Sequence, residues 1–235
     1  MELIRNSWNE EDYRGFVRYL KSLGEENYKN FNKKIIPDTL LFYGIRVPKL
    51  REISRDILKG NSREFLKLKK GEHHEEIIIE GIVMAGASKD YKEMLEFMKS
   101  FSKKIYNWAI CDTVSFKGVK KHRVEFLKDS SWFYKNENPW IVRFGLKNLM
   151  DFYLEEEYIK EVLEITKSVK SDFYYVEMMQ AWLLATAFAK FRKETLSALE
   201  DGGFSQNVYN MTVRKMRDSF RISKEDKELI LKFKR

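Results

Sequence analysis

The sequence predicts an all-α chain, an α–α superhelix (a solenoid) built from successive helix pairs, and three observations predict it. Apolar residues recur at helical spacing almost from end to end. Three prolines and eleven glycines in 235 residues are too few for a strand-and-turn architecture, which needs a breaker about every ten residues. Three tryptophan-bearing stretches, Asn107 to Asp112, Asn138 to Arg143 and Gln180 to Leu183, follow one another at roughly 30–40 residues, the spacing of stacked helix pairs.

The elements follow in order. Ser7-Trp-Asn-Glu10 has the spacing of a capping box and opens a helix that buries Tyr13, Phe16, Val17 and Leu20 on one stripe. Lys33 to Pro37 closes a second helix, because proline disfavours helical backbone at the residue before it. Gly44 to Pro48 is a connector, and Pro48 suits the first turn of a helix that runs to Lys59 and stops at Gly60. Further helices are predicted over about 62–70, 74–87, 90–103, 106–116, 120–128, 138–153, 155–169, 172–190, 192–201, 205–219 and 223–234. The last opens on Ser223-Lys-Glu-Asp226, again with capping-box spacing. The isoleucine-rich run from Glu76 to Ile82 is flanked by helical pattern on both sides and is read as helix. Loops are short and no Gly/Ser linker or composition break divides the chain, so a single domain over 1–235 is expected. Weak internal similarity suits degenerate HEAT-like units.

Lysine and arginine number 44 against 36 acidic residues, a net charge of +8. Such a balance serves either a solubilising surface or a polyanion partner, whose phosphates release counterions on neutralisation. No segment reads as a membrane anchor: the run from Ile77 to Ala87 is interrupted by Glu80 and reaches about half the length of a bilayer span. One cysteine, Cys111, excludes an internal disulfide and a cysteine-rich zinc site. The first residues carry no apolar signal core, and a cytoplasmic chain is expected.

Trp108 and Asp112 stand one turn apart, so on a helix a ring and a carboxylate share a face. Tyr106, Asn107 and Trp108 crowd the helix start, where free backbone N–H groups can hold a phosphate or orient a water. Arg143 is embedded in an apolar helix and needs a partner, either a buried carboxylate or a bound phosphate. Gly145 lets another backbone or a ligand come close. Trp182 sits in one of the most apolar stretches, where it serves as packed core or as a ring offered to a ligand. Arg46, Lys49 and Arg51, followed by Arg55 and Lys59, gather cations at one helix start. Arg214, Lys215 and Arg217, with Arg221, do so near the C-terminus. Each set reads as a solvated face or as part of a groove that tracks a nucleic-acid backbone. His73-His74-Glu75-Glu76 has metal-ligand residue types without the i,i+4 spacing of a zinc helix, and His122 is isolated, so no metal is expected. No Gly-rich phosphate loop, nucleophile elbow or Cys–His pairing occurs.

Over about residues 28–230 the chain resembles the AlkD-like DNA alkylation repair family, HEAT-like-repeat glycosylases that excise 3- and 7-alkylated purines. The resemblance rests on an ordered set: Phe-x-Gly-Ile-x-x-Pro (Phe42 to Pro48), Trp-x-x-x-Asp (Trp108, Asp112), Trp-x-x-Arg (Trp140, Arg143) and Ala-Trp-Leu (Ala181 to Leu183). It implies a catalytic carboxylate at Asp112, two site tryptophans at Trp108 and Trp182, and a phosphate-contacting arginine at Arg143. It implies double-stranded DNA carrying alkylated bases as the partner of a monomer, with no metal or cofactor. The chain departs from the family pattern in carrying Ala109 after the first tryptophan and an apolar Leu183 to Phe188 after the last. These departures keep two alternatives in play: a non-catalytic binder of damaged or branched DNA, and a helical-repeat scaffold for protein partners.

Overall fold

A computed structural model of the chain describes residues 1–36 and 41–234. Every regular element among the described residues is helical, and no strand occurs. The chain forms two compact units, Met1–His122 and Arg123–Arg235.

The first unit contains α1 (Glu10–Ser22), α2 (Glu26–Ile35), α3 (Val47–Lys59), α4 (Ser62–Lys67), α5 (His74–Ala87), α6 (Tyr91–Ser102) and α7 (Trp108–Thr113), followed by a 3-10 turn at Lys117–Lys121. The cap of α1 is Asn9 and not Ser7. The Asn9 side chain accepts from the Asp12 N–H while the Asp12 carboxylate accepts from the Asn9 N–H. Packing decides between the two boxes: Trp8 is buried, with its ring 5.1 Å from that of Phe65 and 6.0 Å from that of Phe16. Pro37, which the sequence places at the end of α2, lies outside the described residues. Pro48 stands in the first turn of α3 and Gly60 caps its end, as expected.

At the centre of this unit, α5 packs against α3, α4, α6 and α7. It buries Ile77, Ile78, Ile79 and Val83 on different sides, as a helix surrounded by others must.

The second unit contains α8 (Arg123–Asp129), α9 (Ser131–Tyr134), α10 (Pro139–Phe152), α11 (Ile159–Ser168), α12 (Tyr174–Phe188), α13 (Arg192–Glu200), α14 (Gln206–Asp218) and α15 (Lys224–Leu229), with a closing 3-10 turn at Ile230–Phe233. Here α10 packs on α12 and α12 on α14, while α13 lies against α11 and α12. Alternate helices therefore run side by side, as in stacked helix pairs. A Cβ on Gly145 would stand 2.7 Å from the Phe133 Cβ, so this glycine admits α9 against α10. The helix predicted over 120–128 starts only at Arg123, after the 3-10 turn, and the one predicted over 106–116 is the six-residue α7.

Candidate nucleic-acid interface

In the first unit the candidate residues stand on α7. Asn107 is buried and caps it, its side-chain oxygen accepting from the Ile110 N–H at 2.9 Å. That bond turns the Asn107 amide NH2 toward His74 Nδ1, 3.3 Å away. An NH2 can only donate, so Nδ1 accepts and the imidazole carries its proton on Nε2. Burial holds the His74 pKa down to about 4. Trp108, half-buried, donates its indole N–H to the Ile35 carbonyl at 3.2 Å, which fixes the ring plane. Asp112, also half-buried, follows one turn later on the same helix.

A pH prediction follows from His74. Its folded pKa lies below the unfolded value near 6.5, so the unfolded chain binds the extra proton between those values. This contribution to stability is complete above pH 6.5 and is lost as pH falls toward about 4, amounting to about 3 kcal/mol. Urea melts at pH 7 and pH 4.5 should show a larger acid loss for the native chain than for His74→Gln; equal losses would contradict the assignment.

The connector into α3 is held by Glu75, which is fully buried. Its carboxylate accepts from the backbone N–H groups of Tyr43 (3.0 Å), Gly44 (2.7 Å) and Ile45 (3.1 Å). Gly44 makes this turn possible: its φ is +93°, and a Cβ there would stand 2.6 Å from the Glu25 carbonyl oxygen. Glu76 accepts from the Tyr13 and Tyr43 hydroxyls, the latter at 2.6 Å, and from the Gly71 N–H at 3.0 Å. His73 stacks on Tyr43 with ring centroids 4.1 Å apart. His73 Nδ1 also lies 3.2 Å from the Glu76 carboxylate, so His73, Glu75 and Glu76 converge on Tyr43 while His74 turns to Asn107. Among the described residues no group of three or more His, Cys, Asp or Glu is placed to hold a metal ion.

The first basic cluster is engaged on its own surface. Arg46 makes a forked pair with Glu25 (2.9 and 3.1 Å from Nε, 2.9 Å from Nη2) and lies 4.8 Å over the Tyr28 ring. Lys49 reaches Glu52 and Lys59 reaches Asp56, each at 2.8 Å. Arg51 is exposed. Exposed pairs of this kind add little to stability.

In the second unit Arg143 is buried within α10 and donates from Nη1 to the Tyr175 carbonyl at 2.7 Å, tying α10 to the first turn of α12. Trp140, one turn earlier, packs at 5.0 Å on Tyr175 and 5.2 Å on Phe173. Trp182 is not packed core: it is 37% exposed on a helix whose other residues are largely buried. The Lys215 ammonium lies over its ring at 5.8 Å. Arg214, Lys215 and Arg217 line an open groove of about 800 Å³ beside Tyr174 and Met178.

A model of one protein family, described as DNA alkylation repair enzyme, matches residues 17–194. The chain belongs to the DNA alkylation repair enzyme family. No curated protein and no solved structure matches it. The matched span holds Trp108 and Asp112 in the first unit and Arg143 and Trp182 in the second, while Arg214, Lys215 and Arg217 lie beyond it. No helix of this family member, among the described residues, is long and apolar enough to cross a membrane. Its sequence disclosed neither the Glu75 anchor nor the Asn107–His74 cap, since both depend on partners about 30 residues away. The one visible signal was Gly44 inside Phe42 to Pro48, a glycine placed where backbone N–H groups turn toward a common point.

Proposed function

We propose that this family member is a DNA glycosylase that removes cationic N3- or N7-alkylated purines from duplex DNA. The observation that carries the reading is α7: within the family span it sets an indole with its plane fixed and a carboxylate one turn apart, both partly open to solvent. An alkylated purine is a cation, and an indole face attracts it by about 0.5–2 kcal/mol. It is also an activated leaving group. When the C1′–N bond breaks, the electron pair neutralises the ring and the base departs without needing a proton. Asp112 stabilises the oxocarbenium character left on the sugar and accepts the proton of the water that attacks C1′. Trp108 offers its ring face to the lesion base, and Trp182, in the second unit, offers its own to the DNA. Arg46, Lys49, Arg51, Arg214, Lys215 and Arg217 serve the phosphate backbone, and Arg143, buried against the Tyr175 carbonyl, positions the first turn of α12. Incubation with N-methylated duplex should release 7-methylguanine or 3-methyladenine, and release no faster than spontaneous depurination would refute the activity.

The exposed cations give a second prediction. Arg214→Ala and Arg217→Ala should weaken binding to any duplex sequence and lower the slope of log K against log salt by about one unit each, leaving thermal stability unchanged. A slope equal to that of the native chain would remove these residues from the interface. Binding without base release would favour the reading as a non-catalytic binder of damaged DNA, to which Ala109 and the apolar run after Trp182 point.

A further inference from the structure

The groove between α12 and α14 carries more than phosphate chemistry. Tyr174, Met178 and Trp182 fall at i, i+4 and i+8 on α12 and so form one row along the helix. Tyr174 is 52% exposed, half-open Met178 follows it, and Trp182 is 37% exposed. Two large rings left open on one row of an otherwise buried helix are not explained by core packing. Across from Tyr174 and Met178 stand Arg214, Lys215 and Arg217 of α14, and Lys215 also reaches over the Trp182 ring. Lys227 and Lys234 add to the lining, which holds five cations against the two carboxylates Asp218 and Glu228. The surface is therefore cationic on one side and aromatic on the other.

An undamaged duplex has no use for the aromatic side, because its base faces are covered by their neighbours and only phosphates and groove edges remain to be touched. An unpaired strand uses both sides: bases stack on rings while phosphates follow the cations. From Tyr174 to Trp182 the helix rises about 12 Å, the span of roughly three stacked nucleotides. We propose that this groove binds an unpaired stretch of DNA, with its bases on Tyr174 and Trp182 and its backbone along Arg214, Lys215 and Arg217. The proposal rests on the DNA-binding reading above and specifies the form of DNA that this unit selects.

The test compares, at one low salt concentration, the anisotropy-derived affinity for an intact duplex and for the same duplex carrying an internal loop of about six unpaired thymines. The looped DNA should bind about tenfold more tightly. Tyr174→Ala should erase most of that preference while leaving affinity for the intact duplex unchanged, and Tyr174→Phe, which keeps the ring, should retain it. Tyr174 is exposed, so a thermal melt matching the native chain is expected for both variants. Equal affinity for the two DNAs, or a preference that survives Tyr174→Ala, would overturn the proposal while leaving duplex binding intact. Binding to neither DNA would overturn the DNA reading itself, and release of methylated purines, measured separately, distinguishes that case.

Discussion

Asp112→Asn should slow excision of a cationic alkylpurine by about two to three orders of magnitude, the range found when one preorganised electrostatic group is removed from a developing charge. Duplex affinity should stay the same or rise slightly, because a negative charge near phosphates has been removed. Asn keeps the shape and the half-buried position of the aspartate on α7, so the thermal melt should change little. Single-turnover release and anisotropy on the same preparations check the two halves. If rate and affinity are both unaltered, the carboxylate has no catalytic part. If the variant instead unfolds some 3–5 kcal/mol more easily, as a broken buried ion pair would, Asp112 holds the fold.

Glu75→Ala should strongly destabilise the first unit. The carboxylate is fully buried and accepts three backbone N–H bonds from Tyr43, Gly44 and Ile45. Without it three donors lie buried and unmet, at about 1–3 kcal/mol each before relaxation. A net loss of about 3–5 kcal/mol is expected, enough to lower Tm by about 6–20 °C. Glu75→Gln should recover part of it, since one amide oxygen still accepts while its NH2 faces a donor. A Tm within a degree or so of the native chain for Glu75→Ala would contradict the anchoring role.

The helical class was legible because it depends on local regularities. Tyr13, Phe16 and Leu20 recur at helical spacing and are all buried, and Ser223 caps α15 by accepting from the Asp226 N–H at 3.1 Å. The start of α1 was misread from the sequence, which pointed to Ser7 with Glu10. Ser7 with Glu10 and Asn9 with Asp12 have the same spacing, and the burial of Trp8 against Phe65 selects the second. The four residues of α9 are too few to show a period.

The candidate site divides in the same way. Trp108 and Asp112 share one helix, so their spacing alone placed them on one face. Trp182 was ambiguous because α12 is apolar on every side, and only the packing of α10 and α14 determines which part stays open. Arg143 was read as needing a partner, and the Tyr175 carbonyl lies 32 positions along the chain. Glu75 looked like one more acidic residue at a helix start. Its partners are backbone N–H groups, which leave no mark in the residue types.

A glycosylase of the proposed kind hydrolyses the glycosidic bond of a base made reactive by its own positive charge. That activity is tested most directly by single-turnover release from two duplexes that differ at one position, one carrying 7-methylguanine and the other the neutral purine hypoxanthine. Release of 7-methylguanine should run well above spontaneous depurination, with no release of hypoxanthine. No release of 7-methylguanine above that background, or equal release of both bases, would contradict it.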